Sequence, residues 1–286
     1  MKNILVPLLG LGGDRLPLDL AHRIAAVFGG HIDGLHVRRN LTEEIAELTM
    51  GEGVLTQPVC DTLEGEIRGR AAAAKTALDA LCSENGISAK APSGSSPGVG
   101  ASWVDRIGRN KDEIIIAGRR HDLIVVGRDA EPFGISTADL AGIIVGCGRP
   151  VLLAPGKLPP ATGRTIAIAW KSTAEAARAV TAAMPLIARA ERIVVLAAIE
   201  AGLEDAEAEA ALLAEQLRRL PAEVSVRCVN PRPGKVGEAL VDGAGAAGAD
   251  LLVLGGYGHS RAREFILGGA TRDLLEESSL PLLMMH

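Results

Sequence analysis

The sequence predicts an α/β protein: two tandem doubly wound domains, each with a five-stranded, mostly parallel sheet. Three observations predict it. Short aliphatic runs alternate with stretches whose apolar residues recur at helical spacing. The same order of signals occurs twice along 286 residues. Aromatic residues make up 2% of the chain against 48% hydrophobic residues in all. The cores must therefore be built from Ala, Val, Ile and Leu, the composition of helices packed on buried parallel strands.

Residues 2–7 (KNILVP) form the first predicted strand. Leu18, Ala21, Ile24 and Ala25 then share a helix face, and residues 32–37 form the second strand. Residues 121–127 (HDLIVVG) form a fully apolar strand that begins near Asp122 and ends at Gly127. A last strand, residues 149–153, is introduced by Pro150. The second copy repeats this order after the Pro- and Gly-rich residues 155–163. Its first strand is residues 164–169, and Ala176, Ala179, Val180 and Ala183 give the helix face. Residues 193–199, 249–255 (ADLLVLG) and 280–284 complete it, with Pro281 before the last strand. Domain boundaries follow at 1–157 and 162–286. The first copy carries an extra stretch at about 39–71, read as an inserted helix plus loop.

Composition narrows the function classes. The formal charge is −5, and no basic cluster is longer than two adjacent residues. That argues against a nucleic-acid partner. No apolar run reaches the roughly 18 residues of a membrane span, so no membrane partner is expected. Cys60, Cys82, Cys147 and Cys228 form no CxxC pair. An acidic chain with scattered cysteines reads as reduced and cytoplasmic, with no metal site. The six histidines make no HxH or HExxH spacing, and no Ser–His–Asp or Cys–His set can be argued from spacing. No catalytic residue is assigned.

Right-handed crossovers put helices on both faces of such sheets, and ligands bind beyond the carboxyl ends of the strands. The loop after residues 249–255 is the one rich in glycine. Gly255, Gly258 and Gly268 are spaced Gly-x2-Gly-x9-Gly, beginning where a buried strand ends. The pattern finishes at Gly268-Gly269-Ala270-Thr271, which reads as a helix start. Glycines let backbone amides turn toward an anion, and a helix start adds free N–H donors. His259 lies in this loop, as an anion donor or a surface residue. Trp170 follows a core strand and either covers the sheet or lies against a base, with packing favoured. Gly10-Leu11-Gly12-Gly13-Asp14 follows the first strand and reads as a flexible turn.

On these segments the chain resembles the universal stress protein family in its tandem two-domain form. The matching residues are Gly255, Gly258 and Gly268, the opening Ile4-Leu5-Val6-Pro7, and Ala169-Trp170-Lys171-Ser172-Thr173 with the alanine-rich stretch after it. The likeness covers nearly the whole chain apart from the insertion. It implies a fold of the adenine nucleotide α-hydrolase, Rossmann-like kind. It also implies a stress-response or regulatory protein rather than an enzyme, binding ATP or a related adenine nucleotide, with magnesium left open.

By this resemblance the nucleotide site lies in the second domain. Ala169 and Ile199 would flank the adenine, and the backbone of Gly255, Gly258, Gly268, Gly269 and Ala270 would hold the phosphates. The family has Ser or Thr after the third glycine; here Gly269 stands there and Thr271 follows two residues on. Where family ATP binders place an Asp past the first strand, this chain has Lys171 in the second copy and Leu9 in the first. Lys171 is either a point charge for phosphate or a solvated lysine. The first copy has Ala130 for the second glycine, with Asp129 and Glu131 beside it, and is expected to bind no nucleotide. Relatives pair through the last strand, so residues 151–154 are expected beside 282–285, with a homodimer of the chain also expected. A non-nucleotide interaction scaffold with an unknown protein partner, and a weak ATPase, are the alternatives.

Overall fold

The computed structural model describes residues 1–40, 57–87, 98–128, 134–200, 205–256, 274–275 and 278–286. The chain divides into two compact units, Met1–Ser136 and Thr137–His286. Among the described residues there are ten strands and seven helices.

The first unit runs β1 (Asn3–Pro7), α1 (Arg15–Phe28), β2 (His31–Arg38), α2 (Gln57–Asn85), β3 (Gly100–Ile107), α3 (Asn110–Gly118) and β4 (Leu123–Val126). Its strands lie in the order β3-β2-β1-β4, with parallel pairing throughout. β1 and β4 are buried along almost their whole length, as strands covered on both faces must be. α1 buries Leu18, Ala21, Ile24 and Ala25, the face its spacing predicts. It ends at Gly29, whose left-handed backbone (φ 60°) returns its N–H to the Ala25 carbonyl.

The inserted stretch departs from the expectation in one respect. Residues 57–71 are not a separate element but the opening turns of α2, which continues unbroken to Asn85. Its second half buries Ala74, Leu78, Leu81 and Cys82. The first half is a solvated helix with Arg68–Glu64 and Arg70–Glu66 pairs at (i, i+4) spacing. Residues 41–56 lie outside the described set.

The second unit runs α4 (Thr137–Cys147), β5 (Val151–Leu153), β6 (Thr165–Trp170), α5 (Ala174–Ile187), β7 (Arg192–Ala198), α6 (Ala206–Leu217), β8 (Glu223–Val229), α7 (Val236–Ala246), β9 (Leu251–Gly255) and β10 (Leu282–Met285). The strand order is β5-β10-β9-β6-β7-β8. All pairs in it are parallel except one. β5 and β10 run antiparallel, with Leu153 opposite Leu282, Leu152 opposite Leu283 and Val151 opposite Met284. The two last strands of the repeats thus pair with each other, in the segments the sequence indicated.

The duplication is legible in single bonds. Asp122, just before β4, accepts from the amides of Lys2 (2.7 Å) and Asn3 (3.0 Å). Asp250, just before β9, accepts from Gly163 (2.6 Å), Arg164 (3.1 Å) and Thr165 (3.2 Å). In each copy a carboxylate ties the start of the fourth strand to the start of the first.

Candidate functional site

In the second unit β6 lies between β7 and β9, so the chain leaves it in opposite directions on its two sides. That is the switch point where such sheets open a crevice at their carboxyl ends. Ala169 lies opposite Leu196 of β7 and Leu254 of β9. One step on, Trp170 is the last residue of β6, followed by the exposed Lys171. Ile199 lies just past β7, is 37% exposed, and donates its N–H to the Val229 carbonyl at 2.9 Å. Ala169, Lys171, Ile199 and Gly255 are therefore gathered at one end of the sheet. Gly258, Gly268, Gly269, Ala270 and Thr271 lie outside the described residues, as does His259.

Gly255 has a packing reason that spacing did not reveal. A Cβ there would lie 2.5 Å from the Ala176 nitrogen and 2.7 Å from the Glu175 carbonyl carbon. The end of β9 and the first turn of α5 touch backbone to backbone. Gly127 at the end of β4 repeats the design, where a Cβ would lie 3.1 Å from Cγ of Pro17 in the first turn of α1. Gly256 follows with its N–H on the Met285 carbonyl at 2.8 Å, which carries the chain one residue further along β10.

The start of α5 is well ordered chemically. Thr173 is its N-cap and its hydroxyl oxygen accepts from the Ala176 amide at 3.3 Å. Glu175 in the first turn is buried and meets Arg178 at 3.2 Å. This buried acid beside Gly255 is a feature of the site that the sequence reading passed over. A glutamate in a first helical turn looks like ordinary dipole pairing until its burial is known.

The same place in the first unit is filled. Asp14 is buried, and its carboxylate accepts from the amides of Leu9 and Gly10, both at 2.8 Å. Burial pushes the Asp14 carboxyl up, opposed by those two amides and by nearby His36. The turn expected to be flexible is thus pinned, because a short acidic side chain folds back onto its amides. Gly10 has φ +69° and the α2 backbone against it, with the Arg70 carbonyl where a Cβ would point. His36, also buried, bonds the Leu8 carbonyl at 2.7 Å and stacks on Trp103 at 5.8 Å. Asp129, Ala130 and Glu131 lie outside the described residues.

At the amino end of the first sheet sits a second polar group. Asp33 of β2 receives His121 Nε2 at 2.8 Å and the Ser102 hydroxyl, with His31 Nε2 at 3.3 Å. His121 also turns Nδ1 to the Ala117 carbonyl at 2.9 Å. Burial alone would raise the Asp33 carboxyl, yet bonds from His121, His31 and Ser102 hold it well below the usual carboxylate range. Among the described residues no group of three His, Cys, Asp or Glu side chains could hold a metal ion. No described helix is long and apolar enough to cross a membrane.

Comparison with known proteins agrees with this architecture. The sequence model of the universal stress protein family matches residues 163–286. A comparison with curated proteins gives no match. Among solved structures, a universal stress protein from Archaeoglobus fulgidus DSM 4304 aligns with a TM-score of 0.72 at 16% identity, covering 100% of this chain and 98% of that one. A functionally unknown protein from Pseudomonas aeruginosa PAO1 aligns with a TM-score of 0.55, also at 16% identity, covering 100% and 92%. At such identity these two likenesses establish the fold.

Proposed function

Because residues 163–286 form a domain of the universal stress protein family, we propose that this half of a stress-response protein binds an adenine nucleotide, ATP foremost, and that the first half does not. The observation that carries the proposal is the contrast between the two carboxyl ends. In the second unit the ends of β6, β7 and β9 present exposed Lys171 and part-exposed Ala169 and Ile199. In the first unit the equivalent loop is closed by Asp14 on its own amides and by the α2 backbone on Gly10. Leu9 and Gly10 amides already bonded to a carboxylate are not donors for a phosphate.

The described part of the site suits the group. Gly255 sets β9 directly against the start of α5, so the loop beginning there leaves the sheet beside a helix N-terminus. Backbone amides of Gly255, Gly258, Gly268, Gly269 and Ala270 and the Thr271 hydroxyl would face the phosphates. Lys171 would add one positive charge. Ala169 and Ile199 would flank the base. Binding would shift the protein between conformations or partners, with no chemical step required of its residues.

Calorimetry on the full chain tests this. ATP is expected to bind at one site per chain, and Gly258→Glu to weaken it at least about tenfold through like-charge repulsion and lost backbone approach. Lys171→Ala should weaken it about two- to fivefold, the range of one solvated charge pair. Two sites per chain, or equal ATP affinity in wild type and Gly258→Glu, would refute the proposal.

A further inference from the structure

β8 is the outer strand of the second unit and pairs with β7 alone. Two bonds fix which way its backbone groups point. The Glu223 amide donates to the Glu191 carbonyl, and the Val229 carbonyl accepts from the Ile199 amide, both at 2.9 Å. In a parallel ladder the amide and carbonyl of one residue face the same neighbour, and successive residues alternate. Glu223, Ser225, Arg227 and Val229 therefore turn both groups to β7. Those of Val224, Val226 and Cys228 point away from the sheet, where no described backbone group meets them. An open edge pairs with another strand unless a proline, a bulge, shortness or like charge prevents it. β8 has seven residues, no proline among them, and an unbroken register with β7 from Glu223 to Val229. Its two charged residues, Glu223 and Arg227, are opposite in sign and exposed. Four residues apart on one extended strand, about 13 Å, they are out of each other's reach.

The strand is self-complementary about Ser225. When two copies pair antiparallel with Ser225 on the two-fold axis, the outward residues meet in order, and Val224 exchanges both backbone bonds with Val226 of the other copy. Glu223 then stands directly opposite Arg227 of the other copy, at the closer kind of cross-strand position, with Cα atoms about 4.5 Å apart. Symmetry repeats the ion pair on the other side of the axis. An axis through Val224 or Val226 also matches outward groups but sets neither charge opposite its complement. β3, the outer strand of the first unit, has no such symmetry. Its Asp105 and Arg106 are adjacent, so their backbones point opposite ways and no symmetric pairing sets one against the other. Asp105 is moreover held by Arg38 at 2.8 Å. We propose that β8 is a homodimer interface, through which two copies of this chain join antiparallel about Ser225. One strand pair is a small interface, so the dimer is weak, with a Kd of about 100 µM, and the chain is monomeric at a few micromolar.

Sedimentation velocity on the full chain, from about 5 µM to about 1 mM, should show monomer passing into dimer. Arg227→Glu and Glu223→Arg should each weaken self-association at least about tenfold, because like charges then face each other on both sides of the axis. Mixed in equal amounts, the two variants should associate as wild type does, since every arginine again faces a glutamate. Misfolding would not be repaired by mixing. With Cys60→Ser and Cys228→Ser in place, Ser225→Cys should form an intermolecular disulfide under mild oxidation, the axis bringing its two Cα atoms within bonding range. In Cys60→Ser protein the natural Cys228 should form none, its two copies lying about 20 Å apart in this register. The proposal is overturned by a monomer at about 1 mM, or by Arg227→Glu protein that self-associates as wild type does. It also falls if the two variants, each with a native circular-dichroism spectrum, stay apart when mixed, or if Cys228 cross-links and Ser225→Cys does not.

Discussion

Asp33 and Gly255 decide local structure for opposite reasons, one through the bonds it makes and the other through the atoms it lacks. Asp33 is held as a carboxylate by His121, His31 and Ser102. Its folded-state pKa is lowered, so the stability it contributes is present above the unfolded-chain value near 3.9 and is lost as pH falls toward the folded value. Asp33→Asn should cost about 2 kcal/mol at pH 5, and the difference from wild type should shrink steadily toward pH 3. Urea unfolding at several pH values measures it, and a gap that stays constant over that range would contradict the assignment. Gly255 is different in kind. Gly255→Ala places a methyl 2.5 Å from a backbone nitrogen of α5, which only a helix shift relieves, at a cost of about 2–3 kcal/mol. Gly127→Ala meets a proline ring carbon at 3.1 Å and should cost about 1 kcal/mol or less. If the two substitutions prove equal in urea, backbone contact is not the reason for Gly255.

Strands in each repeat begin where a carboxylate collects amides, and the number collected sets the expected loss. Asp250 is buried and takes three amides, whereas Asp122 takes two at an exposed strand start. Asp250→Ala should destabilise by about 3 kcal/mol and Asp122→Ala by about 1 kcal/mol, read from the shift in urea midpoint. Elements of this kind were legible in the sequence because the signals were local: Asp before an apolar run, Gly after it, and an alanine-rich helix face. What spacing did not reveal was contact between distant segments. Nothing local says that residues 57–71 join α2 in one helix, since Gly65 and Gly69 would argue against it. Nor does Gly10-Leu11-Gly12-Gly13-Asp14 announce that Asp14 folds back on Leu9 and Gly10 and that Arg70 covers the glycine. Ala169, Lys171, Ile199 and Gly255 came together because strand register brings them together, and a repeat read in order carries that register. Glu175 escaped, because its burial belongs to packing rather than to pattern.

At the scale of the molecule, the repeat and the compact unit have different edges. The sequence repeats break at about residues 157–162, whereas the second unit takes in α4 and β5 from Thr137 onward. The reason lies in β10, whose outer edge is satisfied by β5 through Leu153, Leu152 and Val151. A fragment of residues 162–286 would lack that strand and leave the apolar Leu282, Leu283 and Met284 on an open edge. An open, apolar edge strand pairs with whatever strand it meets, and a second copy offers the same edge. The fragment 162–286 should therefore dimerise or precipitate at micromolar concentration, and residues 137–286 should show no self-association through β10. Light scattering on the two fragments decides the matter. Replacing Leu283 by Lys in the shorter fragment should restore the monomer if the edge is responsible, since an edge lysine opposes pairing. A monomeric, soluble 162–286 fragment of wild-type sequence would mean that β5 is dispensable to β10, and that the repeat rather than the compact unit from Thr137 onward is the folding unit.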